Sequence, residues 1–377
     1  MKYVLFSLSA FVFYAIFYFS YINGLHFLGN QSIESGKLPG INEPLRTVYT
    51  GVEPVDHLLA TLTTFFYPSL DGQNPGLLLH SIAFSGSFGA AWTLVVLESW
   101  RKGNAGTVAA YPMVFGLVAQ VFTFAFATPL FLGLQLGCSV TAHRPHANNI
   151  RVPRAVLAAL PLVFGVGFMI PTHMMVLPAP SVIPVDFKQI AIAIWQPWPA
   201  YVSVLSTVAY YLLSPFISNS HRASMSSLRW VYAFAFINAS LPHLVSWIVS
   251  LATVIVPMIF EKRFLETLHP ANVYSIPLPW SGLVVDNVGD GVHAFLRWDY
   301  IIGTSGVLIW ALSLYTAAHK QLLNTVSWPS LLFKTAVMTA VAGPVGAAVE
   351  LVWERDELVF SETGGDNQRV SAAKKST

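Results

Sequence analysis

Eight apolar runs, each about as long as a membrane span, limit what this chain of 377 residues can fold into. The runs lie at 3–21, 76–98, 108–137, 155–177, 199–217, 230–258, 300–319 and 330–352. About 20 helical residues, at 1.5 Å each, cross the hydrocarbon core of a bilayer. Charged residues make up only 10% of the chain, whereas soluble domains carry about 25%. The sequence therefore predicts an all-α, polytopic transmembrane bundle of about eight spans.

The chain divides into a transmembrane domain, residues 1–353, and a polar tail, residues 354–377. The first run is longer than the apolar part of a signal peptide and lacks a small-residue cleavage site, so we expect a retained span. The tail is charged and poor in apolar residues, so we expect it to be disordered. We expect a multi-pass protein of the endoplasmic reticulum membrane with cytosolic termini. The sequon Asn30, Gln31, Ser32 weakly suggests a lumenal loop and a glycoprotein.

Several kinds of chemistry lack their motifs in this sequence. Cys138 is the only cysteine, which excludes an intramolecular disulfide and a cysteine-based metal cage. No Ser-His-Asp elbow, Walker loop or dinucleotide glycine motif is present, and no basic run before the tail suggests nucleic acid. Asp286 and Asp290 have the D-x-x-x-D spacing of magnesium and diphosphate sites in membrane prenyltransferases, but no second acidic cluster accompanies them. We expect no metal and no cofactor, and a metal-dependent prenyltransferase-like enzyme remains an alternative.

The stretch 51–72, GVEPVDHLLATLTTFFYPSLDG, places carboxylates beside an aromatic run between two predicted spans. Pro54 suits the first turn of a helix, where Asp56 would be favoured as a capping acid. The alternative is functional, because an acid held among aromatic rings can be a proton donor whose pKa is raised by desolvation. On this interpretation Asp56 is the donor, and Glu53 is its partner or the alternative acid.

Polar and aromatic side chains in or beside the runs are candidates for the wall of a cavity. The alternative for each polar residue is a hydrogen bond to a neighbouring helix, and for each tryptophan near a span end it is an interfacial anchor. The prolines of IWQPWP, residues 194–199, would tilt the chain and turn Gln196 inward. The candidates are Phe65, Phe66, His80, Trp92, Gln120, Trp195, Gln196, Trp198, His243 and Trp298, and Gln135, His173 and Asn238 are further polar residues within the runs.

The acids gather in two loops, one before the second run and one before the seventh. With eight spans these loops emerge on opposite faces, so they cannot share a site unless one of them folds deeply inward or the number of spans differs by an odd number. Asp299, in RWDY at the head of the seventh run, is the second candidate acid, and its alternative is a capping acid paired with Arg297. Other expected ion pairs are Glu98 with Arg101 or Lys102, and Glu354 with Arg355.

Five stretches resemble the fungal integral-membrane terpene cyclases of meroterpenoid biosynthesis, in particular the ascochlorin and ascofuranone cyclase type. They are GVEPVDHLLATLTTFFYP, LESWRKGN at 97–104, IWQPWP, LRWDYIIG at 296–303 and GPVGAAVELVWERDE at 343–357, in the same order over nearly the whole chain. The resemblance implies metal-free cyclisation of a farnesyl chain that is attached to an aromatic or polyketide head and bears a terminal epoxide. The catalytic residues of the seven-span pyripyropene-type cyclases cannot be carried over by motif.

The candidate residues suit such an isomerase- or lyase-type reaction. A neutral carboxylic acid protonates the epoxide or an alkene, aromatic faces stabilise the cation, and a dry cavity prevents early quenching by water. The expected partners are a prenylated (epoxyfarnesyl) aromatic or polyketide substrate and the lipid bilayer. A transporter or receptor-like binding protein is the competing hypothesis, although all acids fall outside the runs or at their ends, which disfavours a proton-coupled transporter.

Overall fold

The computed structural model describes residues 1–217 and 221–373, with the backbone alone at 221–224 and 363–373. The all-α prediction is confirmed, because the described residues form helices and no strand beyond one isolated bridge. Six described helices are long and apolar enough to cross a membrane. The main helices are α1 Lys2–Ile22, α2 Leu25–Ser35, α3 Glu53–Phe66, α4 Pro75–Trp100, α5 Pro112–Val121, α6 Phe124–Cys138, α7 Arg154–Val176, α8 Val185–Trp195, α9 Trp198–Leu213, α10 His221–Ile255, α11 Val288–Leu323 and α12 Trp328–Ala373.

The run 108–137 is not one span but a re-entrant hairpin of α5 and α6. Thr123 is extended, with φ 170° and ψ 162°, and its hydroxyl caps α6 by accepting the Phe126 N–H at 2.9 Å. The rings of Phe115 and Phe131 are 5.0 Å apart, so the two legs lie side by side. Ser9, near the middle of α1, donates to the Phe126 carbonyl at 2.8 Å. The tip of this hairpin therefore lies at about half the depth of the membrane domain.

Helix α12 bends back on itself and forms a second re-entrant hairpin. Gly343 leaves the helical conformation, with φ 73° and ψ 169°, immediately before Pro344. Lys334 pairs with Glu354, and its Nζ is 3.8 Å from Glu350. A straight helix would hold positions 334 and 354 about 30 Å apart, so the legs must be antiparallel. The expected pair of Glu354 with Arg355 is wrong, because Glu354 forms its ion pair with Lys334 on the facing leg.

The second leg of α12 continues past the expected start of the polar tail. Arg355 and Asp356 are both fully buried, so the chain stays packed beyond residue 353. The expected boundary between 353 and 354 therefore falls inside a helix. Residues 374–377 of the expected tail lie outside the described residues.

One crossing of the bundle consists of a broken helix, where the sequence predicted a single span at 199–217. Helices α8 and α9 are separated at Gln196 and Pro197, and both run alongside α7. The Trp195 indole donates to the Thr172 hydroxyl at 2.9 Å, and a Cβ at Gly167 would lie 3.2 Å from the backbone nitrogen of Val202. With α12 bent back, six segments of the described chain run from one face of the bundle to the other: α1, α4, α7, the broken pair α8 and α9, α10, and α11.

The two acidic loops lie on the same face, because four segments rather than five cross between them. The Val285 N–H donates to the Asn23 carbonyl at 2.9 Å. A Cβ at Gly289 would lie 2.7 Å from the Asn74 amide, which shows how closely these loops pack. The expectation of opposite faces was wrong, since apolar length alone does not distinguish a re-entrant hairpin from a span.

A buried ion network holds the other face together. Glu98 pairs with Arg101 at 2.6 Å, as the sequence predicted, and Arg101 pairs with Asp356 at 2.9 Å. Arg355 pairs with Asp356 at 2.6 Å, and Gln135 of α6 donates to Glu98 at 3.1 Å. The network thus connects the end of α4 with both hairpins, and each buried charge has an opposite partner, as such charges require.

Candidate active site

A cavity of about 650 Å³ lies within the bundle and reaches the surface beside α2, where exposed His26 and Asn30 line it. This volume is typical of sites that bury a drug-sized ligand. Ten aromatic side chains line the cavity: Phe17, Phe65, Phe66, Phe84, Phe88, Phe122, Phe124, Phe168, Trp195 and Phe295. Such a lining suits an apolar substrate.

Asp299 is the only carboxylate among the residues that line this cavity in the described chain. It is only 5% exposed and lies about 17 Å from the first residue of α11. Its carboxylate accepts the Ala125 N–H at 2.6 Å, and the Thr123 hydroxyl and the Phe124 N–H face the same group. Asp299 therefore lies inside a span at the tip of the first hairpin.

The expectation that Asp299 stands at the head of a span was wrong, because α11 begins at Val288 rather than near residue 300. Asn287 and Asp290 cap this earlier start reciprocally. The Asn287 side chain accepts the Asp290 N–H at 2.9 Å and donates to its carboxylate at 2.8 Å. Asp290 of the D-x-x-x-D pair is thus a capping residue, as is common for an acid in the first helical turn.

The tips of both hairpins contact neighbouring residues of α11. Gly303, one turn beyond Asp299, leaves room for the Phe124 ring, since a Cβ there would lie 2.2 Å from Cδ1 of Phe124. At the other tip, a Cβ at Gly343 would lie 3.6 Å from the Tyr300 hydroxyl, which is an ordinary contact distance. The close packing of Phe124 on Gly303 positions the start of α6, whose Ala125 N–H binds the Asp299 carboxylate.

Asp299 has no cationic partner among the side chains that the structure describes. Arg297, the expected partner, instead donates to backbone carbonyls, including those of Val273 at 3.2 Å and Ser275 at 2.9 Å. An unpaired charge is costly in an apolar interior, so the neutral carboxylic acid is the cheaper form. The expected pair of Asp299 with Arg297 is therefore wrong.

Asp56 occupies a different environment. It accepts N–H groups from Tyr49 at 3.1 Å, Thr50 at 2.6 Å and Gly51 at 3.0 Å, and the Thr50 hydroxyl at 2.8 Å. These bonds, that of the Thr50 N–H first, hold the pKa of Asp56 below its ordinary value. Neither Asp56 nor the exposed Glu53 lines the cavity.

The prediction of a raised Asp56 pKa is therefore wrong, because its carboxylate binds backbone amides instead of standing among rings. Phe65 and Phe66 do line the cavity, but they lie about 14 Å further along α3. The sequence suggested a shared site because the acid and the rings are close along the chain. Asp56 lies at the end of α3 that binds the loop 49–51, whereas Phe65 and Phe66 lie at the end that lines the cavity.

One wall of the cavity is a continuous row of rings. Trp195 and Phe66 are 5.4 Å apart, Phe66 and Phe65 5.1 Å, and Phe65 and Phe295 4.9 Å, all in edge-to-face arrangements. Phe295 precedes Asp299 by one helical turn. We call Phe295, Phe65, Phe66 and Trp195 the aromatic wall. Such rings attract cations electrostatically, so the wall leads away from the acid along a path suited to positive charge.

Five of the predicted site residues line the cavity: Asp299, Phe65, Phe66, Gln120 and Trp195. His173 and Asn238 from the wider polar set also line it, whereas Gln135 joins the ion network. Trp92 and Trp198 are buried behind Phe88, with their rings 5.8 Å apart. They form part of the core rather than the cavity wall, because the ring of Phe88 stands in front of them.

The remaining predicted residues contact neighbouring backbone carbonyls or pack against residues outside the cavity lining. Gln196 donates to the Ile192 carbonyl at 3.2 Å, and Trp298 donates to the Pro277 carbonyl at 2.8 Å. His243 lies 3.2 Å from the Ala340 carbonyl, which Pro344 leaves without its helical N–H donor. His80 packs among His293, Tyr274 and Tyr300, away from the cavity lining.

The sequence missed the rings at Phe84, Phe88 and Phe295 and the break at Thr123. Phe84 with Phe88, and Phe295 with Asp299, have the four-residue spacing of one helix face. For Phe295 and Asp299 this spacing indicates a shared helix face only if α11 begins before residue 295. The capping pair Asn287 and Asp290 marks that start. The break carries no proline or glycine, so the sequence gives no signal for it.

A metal site and a glycan site find no support in this geometry. Neither Asp286 nor Asp290 lines the cavity, and no group of three His, Cys, Asp or Glu residues suited to a metal ion occurs in the described part of the chain. Asn30 of the sequon lies within α2 and lines the cavity mouth, where a glycan would obstruct entry.

The sequence profile of the CtvD domain matches residues 1–360. The chain belongs to this family of fungal terpene cyclases. It is 33% identical to terpene cyclase ctvD of Aspergillus terreus, over 94% of this chain and 99% of that protein. It is 30% identical to terpene cyclase ascI of Acremonium egyptiacum, over 85% and 83% of the two chains, and 28% identical to terpene cyclase penA of Penicillium crustosum, over 93% and 94%.

No solved structure matches the chain. The resemblance to terpene cyclases of meroterpenoid pathways is confirmed, and with it the assignment of the chain as a cyclase of the membrane. The competing hypothesis of a transporter or receptor-like protein is not favoured, since the relatives named above are terpene cyclases.

Proposed function

We propose that this cyclase protonates the terminal epoxide of a farnesyl chain on a meroterpenoid precursor, and that Asp299 is the proton donor. The observation that supports this most directly is that Asp299 is the only carboxylate of the described residues that lines the aromatic cavity. Its burial and its lack of a described cationic partner favour the neutral acid. The substrate enters tail first from the mouth beside α2, so its reactive end reaches the acid at half depth.

The reaction starts when the Asp299 proton passes to the epoxide oxygen. The carbon–oxygen bond breaks with its electron pair on oxygen, which becomes a hydroxyl group, and an alkene of the chain closes the ring on the resulting cation. General acid catalysis contributes about 10² to 10⁴ in rate, and exclusion of water prevents early quenching. The aromatic wall stabilises the positive charge as it moves along the chain. Loss of a proton from a carbon beside the final cationic centre forms a double bond, so the product is an isomer of the substrate.

The proposed reaction proceeds without a metal ion. Protein magnesium sites commonly combine carboxylates with substrate phosphates, and Asp299 is the only carboxylate of the described lining. We further propose that the enzyme resides in the endoplasmic reticulum membrane, where the apolar substrate can enter from lipid. A fluorescent fusion that fails to colocalise with a marker of that membrane would refute the location without affecting the chemistry.

The test is conversion of an epoxyfarnesyl phenol by purified enzyme in the presence of EDTA. We expect the wild-type enzyme to give a cyclised isomer and Asp299→Asn to lose at least 100-fold in rate. The asparagine oxygen still accepts the Ala125 N–H, so this variant removes the proton without removing the hydrogen bond to α6. Asp286→Asn, outside the cavity, is the matched control and should keep full rate.

Two results would overturn the proposal. Full activity of Asp299→Asn would exclude Asp299 as the donor, and loss of wild-type activity in EDTA would require a metal. The same phenol with an alkene in place of the epoxide tests the initiating group. Equal rates with both substrates would overturn the assignment of the epoxide as the group that is protonated.

A further inference from the structure

His173 is an exposed histidine of α7 that lines the cavity. Its Nδ1 lies 2.7 Å from the carbonyl oxygen of Met169. A carbonyl oxygen can only accept a hydrogen bond, so Nδ1 carries the proton of the neutral ring. Nε2 then keeps its lone pair. The neutral imidazole is thereby held in a tautomer that has one atom free to accept a proton.

The local helix geometry explains why this ring is held. Gly165–Met169 forms a π-helical turn, and Pro171, which follows it, has no N–H to donate. The Thr172 hydroxyl donates to the Phe168 carbonyl at 2.7 Å, and His173 donates to the next carbonyl along the turn. Single π-helical turns occur frequently at functional sites. Here the turn directs two successive side chains towards their own backbone.

The same turn connects His173 with the far end of the aromatic wall. The Thr172 hydroxyl, next to His173, accepts the Trp195 indole N–H at 2.9 Å. Trp195 is the last ring of the wall that begins at Phe295, one turn from Asp299. An acid thus lies at one end of the row of rings, and a histidine with a free lone pair lies at the other.

We propose that His173 is the base that removes a proton from the final carbocation. This inference rests on the proposed function, in which Asp299 starts the reaction. A carbon–hydrogen bond beside the cationic carbon breaks, its electron pair becomes a carbon–carbon double bond, and the proton moves to Nε2. One proton enters at Asp299 and one leaves at His173, so the product remains an isomer. The exposed ring passes its proton to solvent, and Asp299 regains one.

His26 is the other histidine among the described residues of the cavity lining, and its tautomer is the opposite one. Its Nδ1 lies 3.3 Å from the side-chain amide nitrogen of Asn30, which can only donate. The proton of the neutral His26 ring is therefore on Nε2, and the lone pair on Nδ1 is already used. His143, exposed at the end of the short helix Val140–His143 and outside the cavity lining, provides a control that is matched in residue type and exposure.

The test is the product distribution, measured by mass spectrometry after complete conversion of the epoxyfarnesyl phenol. We expect the alkene product of His173→Gln to fall at least tenfold relative to alkene isomers and water-quenched alcohols, because the final cation no longer meets a positioned base. His173→Phe, which keeps a planar ring, should change the distribution in the same way, and His143→Gln, outside the cavity lining, should not.

Three results would overturn the role of His173. They are an unchanged product distribution in both His173 variants, the same change in His143→Gln, and complete loss of substrate consumption in folded His173 variants. None of these affects Asp299, whose role is tested separately by Asp299→Asn. A wild-type enzyme that fails to cyclise the epoxide would instead remove the proposed function itself.

Discussion

The ring of Phe124 lies directly against Gly303, so that a Cβ atom on Gly303 would come within 2.2 Å of Cδ1. Real Cβ atoms do not approach so closely, and the ring would have to move. Because Phe124 begins α6, its movement would shift the N–H groups that face Asp299. A glycine without an unusual backbone conformation thus controls the position of the candidate acid.

We therefore expect Gly303→Ala to lower cyclase activity at least tenfold while the protein still folds. Overpacking of this kind costs about 1–3 kcal/mol of stability, which a thermal unfolding measurement in detergent can detect. Gly137→Ala on the same hairpin is the control, since its nearest atom, Cδ of Lys2, lies 3.8 Å away. Wild-type activity in Gly303→Ala would contradict the close docking of α6 on α11.

Asp56→Asn is expected to change stability and leave the chemistry of folded protein intact. The lowered pKa of Asp56 means that its charge stabilises the fold above its ordinary pKa of about 4, and that this contribution is lost as the pH falls through the still lower folded value. Asparagine lacks that charge. We expect the variant to unfold at a lower temperature at neutral pH and to lose less stability on acidification.

The measurement for Asp56 is thermal unfolding at several pH values, together with turnover per folded molecule. Glu53→Gln, at an exposed position on the same helix, is the control and should match the wild type in both. A folded Asp56→Asn protein without turnover would restore Asp56 as the candidate acid.

The re-entrant hairpin of α5 and α6 can be tested by cysteine labelling. Cys138, the only native cysteine, is exposed at the end of α6, and Lys102 is exposed before α5. We expect Cys138, and Lys102→Cys in a Cys138→Ser background, to react with an impermeant maleimide from the same side of the membrane. Glu34→Cys, exposed on α2, should react only from the other side. Labelling of positions 102 and 138 from opposite sides would show that 108–137 spans the membrane.

The buried ion network should matter more than an exposed pair of the same chemistry. Arg101→Met removes the partner that lies 2.6 Å from Glu98 and leaves Asp356 with Arg355 alone, and removing one member of a buried pair costs about 3–5 kcal/mol. Arg229→Met removes a pair with Glu357 whose side chains are 55% and 35% exposed, and such pairs contribute about 0–1 kcal/mol. Thermal unfolding in detergent compares the two, and equal losses would contradict the assigned role of the network.

The sequence was sufficient to predict an all-α membrane fold, because the free-energy cost of unpaired polar groups in lipid leaves few other folds. The apolar runs, the pair of Glu98 with Arg101, and the cavity-lining role of Phe65, Phe66 and Trp195 all follow from local patterns. The family assignment followed from five motifs in order. These features depend on composition or on residues that are close together in the sequence.

The position of the acid could not be found in the same way. Asp299 depends on a backbone N–H 174 positions earlier, and the break at Thr123 that frees this N–H carries no helix-breaking residue. Asp56 was preferred because rings follow it closely along the chain. Side chains share a cavity when they are close in space, and the helix places Asp56 about 14 Å from Phe65 although the two are only a few turns apart.

The hairpin of α5 and α6 is synthesised long before the helix that completes it. Until α11 arrives from the ribosome, the first amides of α6 lack the carboxylate that binds them, and unsatisfied amides are costly in hydrocarbon. The half-depth position of this tip can therefore be reached only late, after the surrounding helices have assembled. Formation of the site then requires a folding step inside the membrane, and insertion of the individual segments is not sufficient.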